Sequence, residues 1–396
     1  MRGEAARYRH LSGHILCKYA FLLHCAGIYI YAGTCTAKPS WSNSRTMQAS
    51  AKSIERDALR KVPGLLAELL DEPDVELSAE ELQPDSRIDL LARDSRGRRW
   101  AIEFKGMSGP GQVDQAARQL KAYDDADAIP LLVVPFMSEA GAETAERSAL
   151  NWIDLAGNAS IRDEGLRVWV QGKPAEQRSA GRPSSPFAPK SARISRALLL
   201  EPKRWWRQRD LATATQLDDG NVSRIVHRLD EAALLERHDR ELRPRDPDLL
   251  LDAWAQEYRF DRHDAIAGHV SGSGIEVARS LAENLGKRQI KHAFTGLPAA
   301  WAIDRFAQFR LTTVYVDGDP RAVVEQLDIR RGSKGANVQI LGPDDAGVLA
   351  GEQERDGLTC VSTVQIYLDL LYLPERAKEA AQHLREHHLD WHGRSR

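Results

Sequence analysis

The sequence predicts an α/β multidomain protein, and three observations lead there. Apolar residues switch between helical and strand spacing along the chain, a stretch rich in Pro, Ser and Gly interrupts them, and two short helical stripes precede a charged hairpin. At 396 residues the chain is too long for one compact core, so two or three domains are expected. The expected division is a leader over 1–46, an α/β domain over 47–172, a linker over 173–189, a helical unit over 190–260 and an α+β domain over 261–396.

The first domain opens with a helix over 53–70, where Ile54, Leu59, Val62, Leu65, Leu66 and Leu69 recur at helical spacing. Strands are expected near 86–93 and 98–105, because both runs alternate apolar and polar residues around an Asp94-Ser-Arg-Gly-Arg turn. Gly106 to Gly111 is a glycine-rich turn, and Gln112 to Tyr123 reads as an amphipathic helix. Ile129 to Phe136 is continuously apolar, as in a strand buried on both faces. A helix over 139–150 and two short strands, at Trp152 to Leu155 and Leu166 to Gln171, complete the unit.

Three residues of this domain suggest chemistry. In a strand, residues two apart share a face, so Glu103 and Lys105 point the same way. If the neighbouring strand sets Asp89 opposite them, two carboxylates and an ammonium converge. Such a pair can hold Mg²⁺, and the lysine can orient or activate the attacking water of phosphodiester hydrolysis. This acid, acid, lysine set resembles the PD-(D/E)XK nuclease superfamily over roughly residues 53–170, including the helix with Gln112, Gln119 and Tyr123. The resemblance implies a restriction-endonuclease-like fold in which Asp89 and Glu103 bind Mg²⁺ and Lys105 assists the water. The plain alternative is a surface strand with charges on its wet face. Asp154 and Asn158 flank Gly157 in Ile153-Asp-Leu-Ala-Gly-Asn, a pattern that reads as a left-handed turn in preference to a polar cleft loop.

Gly172 to Pro189 has linker composition. Helices are expected over 191–200, 207–216 and 222–235, followed by the charged hairpin Glu236-Arg-His-Asp-Arg-Glu-Leu-Arg-Pro and a helix over 249–258. Two short helices joined by a tight turn and then a hairpin describe a winged helix-turn-helix, with its third helix in the DNA major groove. The residues facing DNA would be Asn221, Ser223, Arg224, His227 and Arg228 on that helix, with Arg237, Arg240 and Arg243 on the wing. From Lys173 to Asp246 there are 16 Lys and Arg against 11 Asp and Glu, and Arg178, Arg182 and Lys190 belong to that excess. Trp205 and Trp206 are read as packing residues.

The last third mixes strands at 292–297, 311–316 and 337–341 with helices over 298–309, 361–372 and 375–387. Phe294-Thr-Gly-Leu-Pro-Ala-Ala-Trp, a helix and a strand resemble the opening of nucleotidyltransferase folds. Those enzymes carry paired acids on the second strand, where this chain has Thr312 and Thr313, with Asp317 and Asp319 only beyond it. An interaction or dimerisation domain is the expectation. His383, His387 and His388 read as surface histidines.

The formal charge of −2 makes any nucleic-acid surface a local patch. The four cysteines, at 17, 25, 35 and 360, form no Cys-x-x-Cys pair, which argues against a zinc finger or disulfide scaffold and fits a reducing cytoplasm. Tyr19 to Tyr31 is apolar after a basic start, but it is short for a membrane span and His24 interrupts it. Met47 opens a good helix start and is read as the true first residue.

Three stretches, Ile153-Asp-Leu-Ala-Gly-Asn-Ala, Ile102-Glu-Phe-Lys and Val364-Gln-Ile-Tyr-Leu-Asp-Leu-Leu-Tyr, resemble the abortive-infection type IV antitoxins of the AbiEi family, in a branch with a nuclease-like N-terminal part. The resemblance spans about 53–389. It implies a cytoplasmic prokaryotic transcriptional regulator that binds double-stranded operator DNA. It also implies antagonism of a nucleotidyltransferase toxin, not necessarily through a complex. No membrane association is expected, and a homodimer is compatible with this reading. The alternative is a Mg²⁺-dependent DNA endonuclease of a defence system. A protein-interaction scaffold is a third reading.

Overall fold

The computed structural model describes residues 60–70, 78–80, 88–94, 96–123, 127–174, 185–389 and 391–392. The leader, the start of the first helix, Arg87, and Arg178 and Arg182 of the linker lie outside these residues.

Three sheets organise the described chain. The first has seven strands in chain order: β1 (Ser78–Glu80), β2 (Leu90–Arg93), β3 (Arg99–Phe104), β4 (Ala128–Val134), β5 (Asn151–Asp154), β6 (Ala159–Asp163) and β7 (Leu166–Val170). Strands β3, β4 and β5 run parallel, joined through α2 (Pro110–Lys121) and α3 (Glu139–Arg147), and the other neighbours are antiparallel. The two-residue period of β3 divides its side chains between two cores. Trp100, Ile102 and Phe104 meet Val62 and Leu66 of α1, which is helical over 60–70. Ala101 meets Val113, Ala116 and Leu120 of α2 on the opposite face. Strand β4 lies between two parallel neighbours, and Leu131, Leu132, Val133 and Val134 are all buried, as its apolar run requires. Strands β1 and β6 are additions to the expected set. Strand β6 is short, and three of its five residues are polar, so its periodicity is weak.

The second sheet belongs to the helical unit. Helix α4 (Ala192–Leu200), β8 (Trp206–Arg207), α5 (Gln208–Thr215), α6 (Asp219–Glu231), β9 (Leu235–His238) and β10 (Glu241–Pro244) follow one another, and the strands order as β8, β10, β9, all antiparallel. Helix α6 starts three residues earlier than the apolar stripe suggests. The Asp218 side chain caps it by accepting the Asn221 backbone N–H at 2.8 Å. Helix α7 (Pro247–Glu257) then leads into the third sheet.

That sheet has seven strands: β11 (Asp264–His269), β12 (His292–Thr295), β13 (Thr312–Val316), β14 (Arg330–Arg331), β15 (Val338–Gly342), β16 (Gln353–Arg355) and β17 (Leu358–Cys360). Their order is β14, β11, β15, β13, β12, β17, β16. Helices α8 (Gly274–Lys287), α9 (Gly296–Asp304), α10 (Pro320–Gln326), α11 (Thr363–Leu370) and α12 (Ala377–His388) accompany it. Helix α9 stops at Asp304, short of the expected 309, because Arg305 takes a left-handed conformation with φ 58°. The helical unit and the third sheet bury one continuous apolar core, from Phe187 to Leu389.

The first sheet docks on the helical unit through α2. A Cβ at Gly111 would lie 2.4 Å from the Ala232 carbonyl oxygen, so only glycine permits this approach. Gln112 Nε2 donates to the Glu231 carbonyl at 2.8 Å, and Arg245 Nη2 donates to the Gly111 carbonyl at 2.9 Å. Among the described residues, no helix is long and apolar enough to cross a membrane.

Candidate functional site

Two surfaces gather the residues singled out in the sequence. On α6, Val222, Ile225, Val226 and Leu229 are buried, and the opposite stripe presents Ser223, Arg224 and His227 to solvent. Asn221 and Arg228 are half-buried at its margins. Arg224 Nε donates to the Gly220 carbonyl at 3.3 Å, and its Nη2 donates to Asn221 Oδ1. The Asn221 amide donates in turn to Asp218, whose carboxyl the Asn221 backbone N–H holds below the usual carboxylate range. His227 lies 3.3 Å from Glu231.

The hairpin of β9 and β10 brings Arg237 beside this stripe, while the register pairs Arg243 with Glu236 and so turns it to the other face of the hairpin. Arg237 pairs with Asp230 of α6 at 2.8 Å, and Arg243 pairs with Glu236 at 2.9 Å. Arg243 also lies 4.3 Å from the Trp205 ring centre. Arg240 is exposed at the hairpin turn, next to Asp239 with φ 53°. Partly exposed pairs of this kind contribute about 0–1 kcal/mol each. A phosphate can therefore replace the carboxylate at little cost. Trp206 is buried, as expected of a packing residue, and Trp205 lies between Arg243 and His238.

The second surface is the end of β2 and β3. Leu90 pairs with Ile102, which sets Asp89 opposite Glu103. Asp89 Oδ2 accepts the Phe104 backbone N–H at 2.7 Å. Lys105 Nζ donates to Glu103 Oε1 and to Gln119 Oε1 of α2, both at 2.7 Å. The structure thus brings Asp89, Glu103 and Lys105 together. Glu103 is 3 % exposed, and burial pushes its carboxyl above the usual range; Lys105 opposes that shift and Asp89 reinforces it. Among the described residues, its Oε2 is buried without a hydrogen-bond partner. A buried carboxylate oxygen with no donor, beside a second carboxylate, fits a divalent cation, and Asp89 and Glu103 are the residues that would hold one. Asp154 is different. Its carboxylate accepts from Met137 N, Ala156 N, Asn158 N and Asn158 Nδ2 within 3.1 Å, so it secures the turn at Gly157 (φ 88°).

Sequence reasoning missed a buried polar network in the third sheet. Asp369 accepts from Tyr258 OH at 2.5 Å, Thr295 Oγ1 at 2.5 Å, Gln365 Nε2 at 2.8 Å and Tyr315 OH at 3.1 Å. His263 Nδ1 accepts the Asp344 N–H at 3.1 Å, so its proton sits on Nε2 and is donated to Tyr258 OH at 2.8 Å. The only signal in the sequence was a set of polar residues on otherwise apolar elements. Thr312 and Thr313 are buried on β13, so no acid occupies the place where transferase chemistry needs one. His383 and His388 both bond Asp304 Oδ2, at 2.5 Å and 3.0 Å. Among the described residues, Asp246, Asp248 and His392 form the one group of three acids and histidines with metal-compatible spacing, but Asp246 caps α7 and Asp248 holds Arg385 at 3.3 Å.

Residues 243–390 match the family described as "Transcriptional regulator, AbiEi antitoxin, Type IV TA system". The C-terminal part of the chain is thus similar to regulators of toxin–antitoxin systems. The matched stretch begins in β10 and takes in α7, the third sheet and its helices. The resemblance expected from residue 53 onward is found over that part alone. No curated protein and no solved structure matches the chain.

Proposed function

We propose that this protein is a DNA-binding transcriptional regulator of the type IV antitoxin kind, antagonising a nucleotidyltransferase toxin. In this reading α4, α5, α6 and the β8, β10, β9 sheet are a winged helix-turn-helix. Helix α6 enters the major groove with Asn221, Ser223, Arg224, His227 and Arg228, and Arg237, Arg240 and Arg243 contact backbone or minor groove. The observation that carries the reading is the exposed stripe of Ser223, Arg224 and His227 on a helix whose other face is buried, with Arg237 of β9 beside it. The family match over 243–390 supports the regulatory role. Arg224→Ala and Arg228→Ala are expected to weaken binding to the chain's own promoter by about 1–3 kcal/mol per lost base contact. Unchanged affinity and sequence preference in both variants, in quantitative footprinting, would remove α6 from the DNA interface.

The orphaned Glu103 Oε2 favours a second reading: a PD-(D/E)XK-type domain with metal-dependent endonuclease activity. Bound Mg²⁺ would supply charge neutralisation at the scissile phosphate. Asp89 and Glu103 would hold it, and Lys105, fixed between Glu103 and Gln119, would orient water. Plasmid cleavage with Mg²⁺ or Mn²⁺, lost in both Asp89→Ala and Lys105→Ala, would establish this reading. A chain that binds no nucleic acid at any salt concentration would leave the scaffold reading.

A further inference from the structure

Helix α4 and the end of α5 face the segment Ala346–Leu349 of the C-terminal part across a cleft of about 460 Å³. That volume lies within the roughly 300–1,000 Å³ span of small-molecule sites. Its walls include Arg193, Arg196, Trp206, Gln216 and Lys291. The two sides are close: a Cβ at Gly347 would lie 2.7 Å from Arg193 Cγ.

Arg196 is 4 % exposed. Its Nη1 donates to Gln365 Oε1 at 2.7 Å, and its guanidinium lies 5.1 Å from the Trp254 ring centre. Among the described residues no carboxylate forms an ion pair with it, and its Nε has no hydrogen-bond partner. Trp206 Nε1, also buried, has no acceptor either. Asp369 and Asp345 offset the Arg196 charge from a distance without an ion pair to it, and two orphaned donors beside one cleft call for an acceptor. Other charges at the cleft are spoken for: Arg193 by Asp345 at 2.6 Å, and Glu201 by Arg204 at 3.0 Å. Lys291, half-exposed, has Glu352 at 3.9 Å.

We propose that this cleft binds a small oxyanion that accepts from Arg196 and Trp206, with Lys291 supplying a second positive charge. Both orphaned nitrogens are shielded from water, so binding requires a side chain at the cleft wall to move aside. The cleft wall includes Thr215 and Gln216, where α5 turns into α6. Occupancy therefore bears on the placement of α6. That consequence rests on the DNA-binding reading, whereas the anion site does not.

The test is isothermal titration of the full chain at constant ionic strength with inorganic phosphate and with citrate, ribose serving as a neutral control. Saturable binding of either anion is expected, with ribose silent. Phosphate alone would identify a phosphoryl group as the ligand chemistry, and citrate alone a carboxylate. Binding should weaken about tenfold in Trp206→Phe, which keeps an aromatic side chain but removes the indole N–H, or in Lys291→Ala. The surface position of Lys291 keeps that variant folded. No saturable signal from either anion at millimolar concentration, or unchanged affinity in both variants, overturns the proposal. A chain that takes up the anion but binds no DNA would retire the regulator reading and leave this site standing.

Discussion

Asp252 of α7 accepts Arg385 of α12 on Oδ1 at 2.5 Å, while its Oδ2 takes Arg147 of α3 at 3.0 Å. One carboxylate thus ties the helix covering the first sheet to the last helix of the chain. Both Asp252 and Arg385 are mostly buried, and Arg385 is also held by Asp248 and Tyr367. Replacing Asp252 with Ala leaves a buried guanidinium short of its partner. A loss of about 2–4 kcal/mol in folding stability is expected from denaturant titration, well above the effect of an exposed pair.

Tyr258 is the centre of the buried network, accepting from His263 and Gln365 and donating to Asp369. Tyr258→Phe preserves the ring but leaves these groups unmatched. A cost of about 1–3 kcal/mol is expected in thermal or chemical denaturation. A neutral effect would mean that the network contributes nothing to stability.

His263 gives this network a pH dependence. Burial pulls its pKa below the ordinary 6.5; Asp369 opposes that and Arg196 adds to it. A depressed folded-state value means the stabilisation is present above the unfolded pKa and is lost as pH falls through the folded one. Asp369, whose carboxyl burial pushes up, works in the opposite sense, so a variant is needed to isolate the imidazole. The stability difference between wild type and His263→Gln should shrink as pH falls from about 7 to 5. Parallel pH curves for the two proteins would contradict this.

Glu103 behaves oppositely. Its folded-state pKa is raised, so its contribution is complete below the ordinary 4.5 and is lost as pH rises through the folded value. Glu103→Gln is expected to flatten the pH dependence of stability above about 4.5. In the endonuclease reading, Mg²⁺ raises the melting temperature of the wild type but not of Glu103→Gln or Asp89→Ala, as differential scanning fluorimetry would register.

Arg240, at the exposed hairpin turn, offers a different readout. If it contacts a phosphate, Arg240→Ala should lower affinity about equally for all DNA sequences. It should also reduce the slope of log affinity against log salt by about 1. A change in sequence preference instead would make Arg240 a base-reading residue.

The helices and strands that position the candidate sites were largely legible in the sequence because their periodicity is strong. The stripe Val222, Ile225, Val226 and Leu229 gives α6, and the run 129–134 gives β4. Less legible were β1, β6 and β11 and helix α8. Strands β1 and β6 are short or polar along much of their length, β11 carries Ile266 as its only large apolar side chain, and all three find their place by pairing with neighbours. The exit from α9 at Arg305 was hidden because no Gly or Pro marks it. Asp369 and Tyr258 are 111 residues apart, a separation that no local pattern can report.

By itself the sequence determined which side chains share a face. Spacing of two on β3 and of three and four on α6 is a property of the local backbone, so Glu103 beside Lys105, and Ser223 beside His227, follow from their numbering. Only tertiary structure decided what lies across from them. The register of β2 brings Asp89 to Glu103, α2 brings Gln119 to Lys105, and α4 carries Arg196 into a core where, among the described residues, no carboxylate pairs with it. Partners far apart in the chain are chosen by which surfaces bury one another, and that choice is made by the whole fold at once.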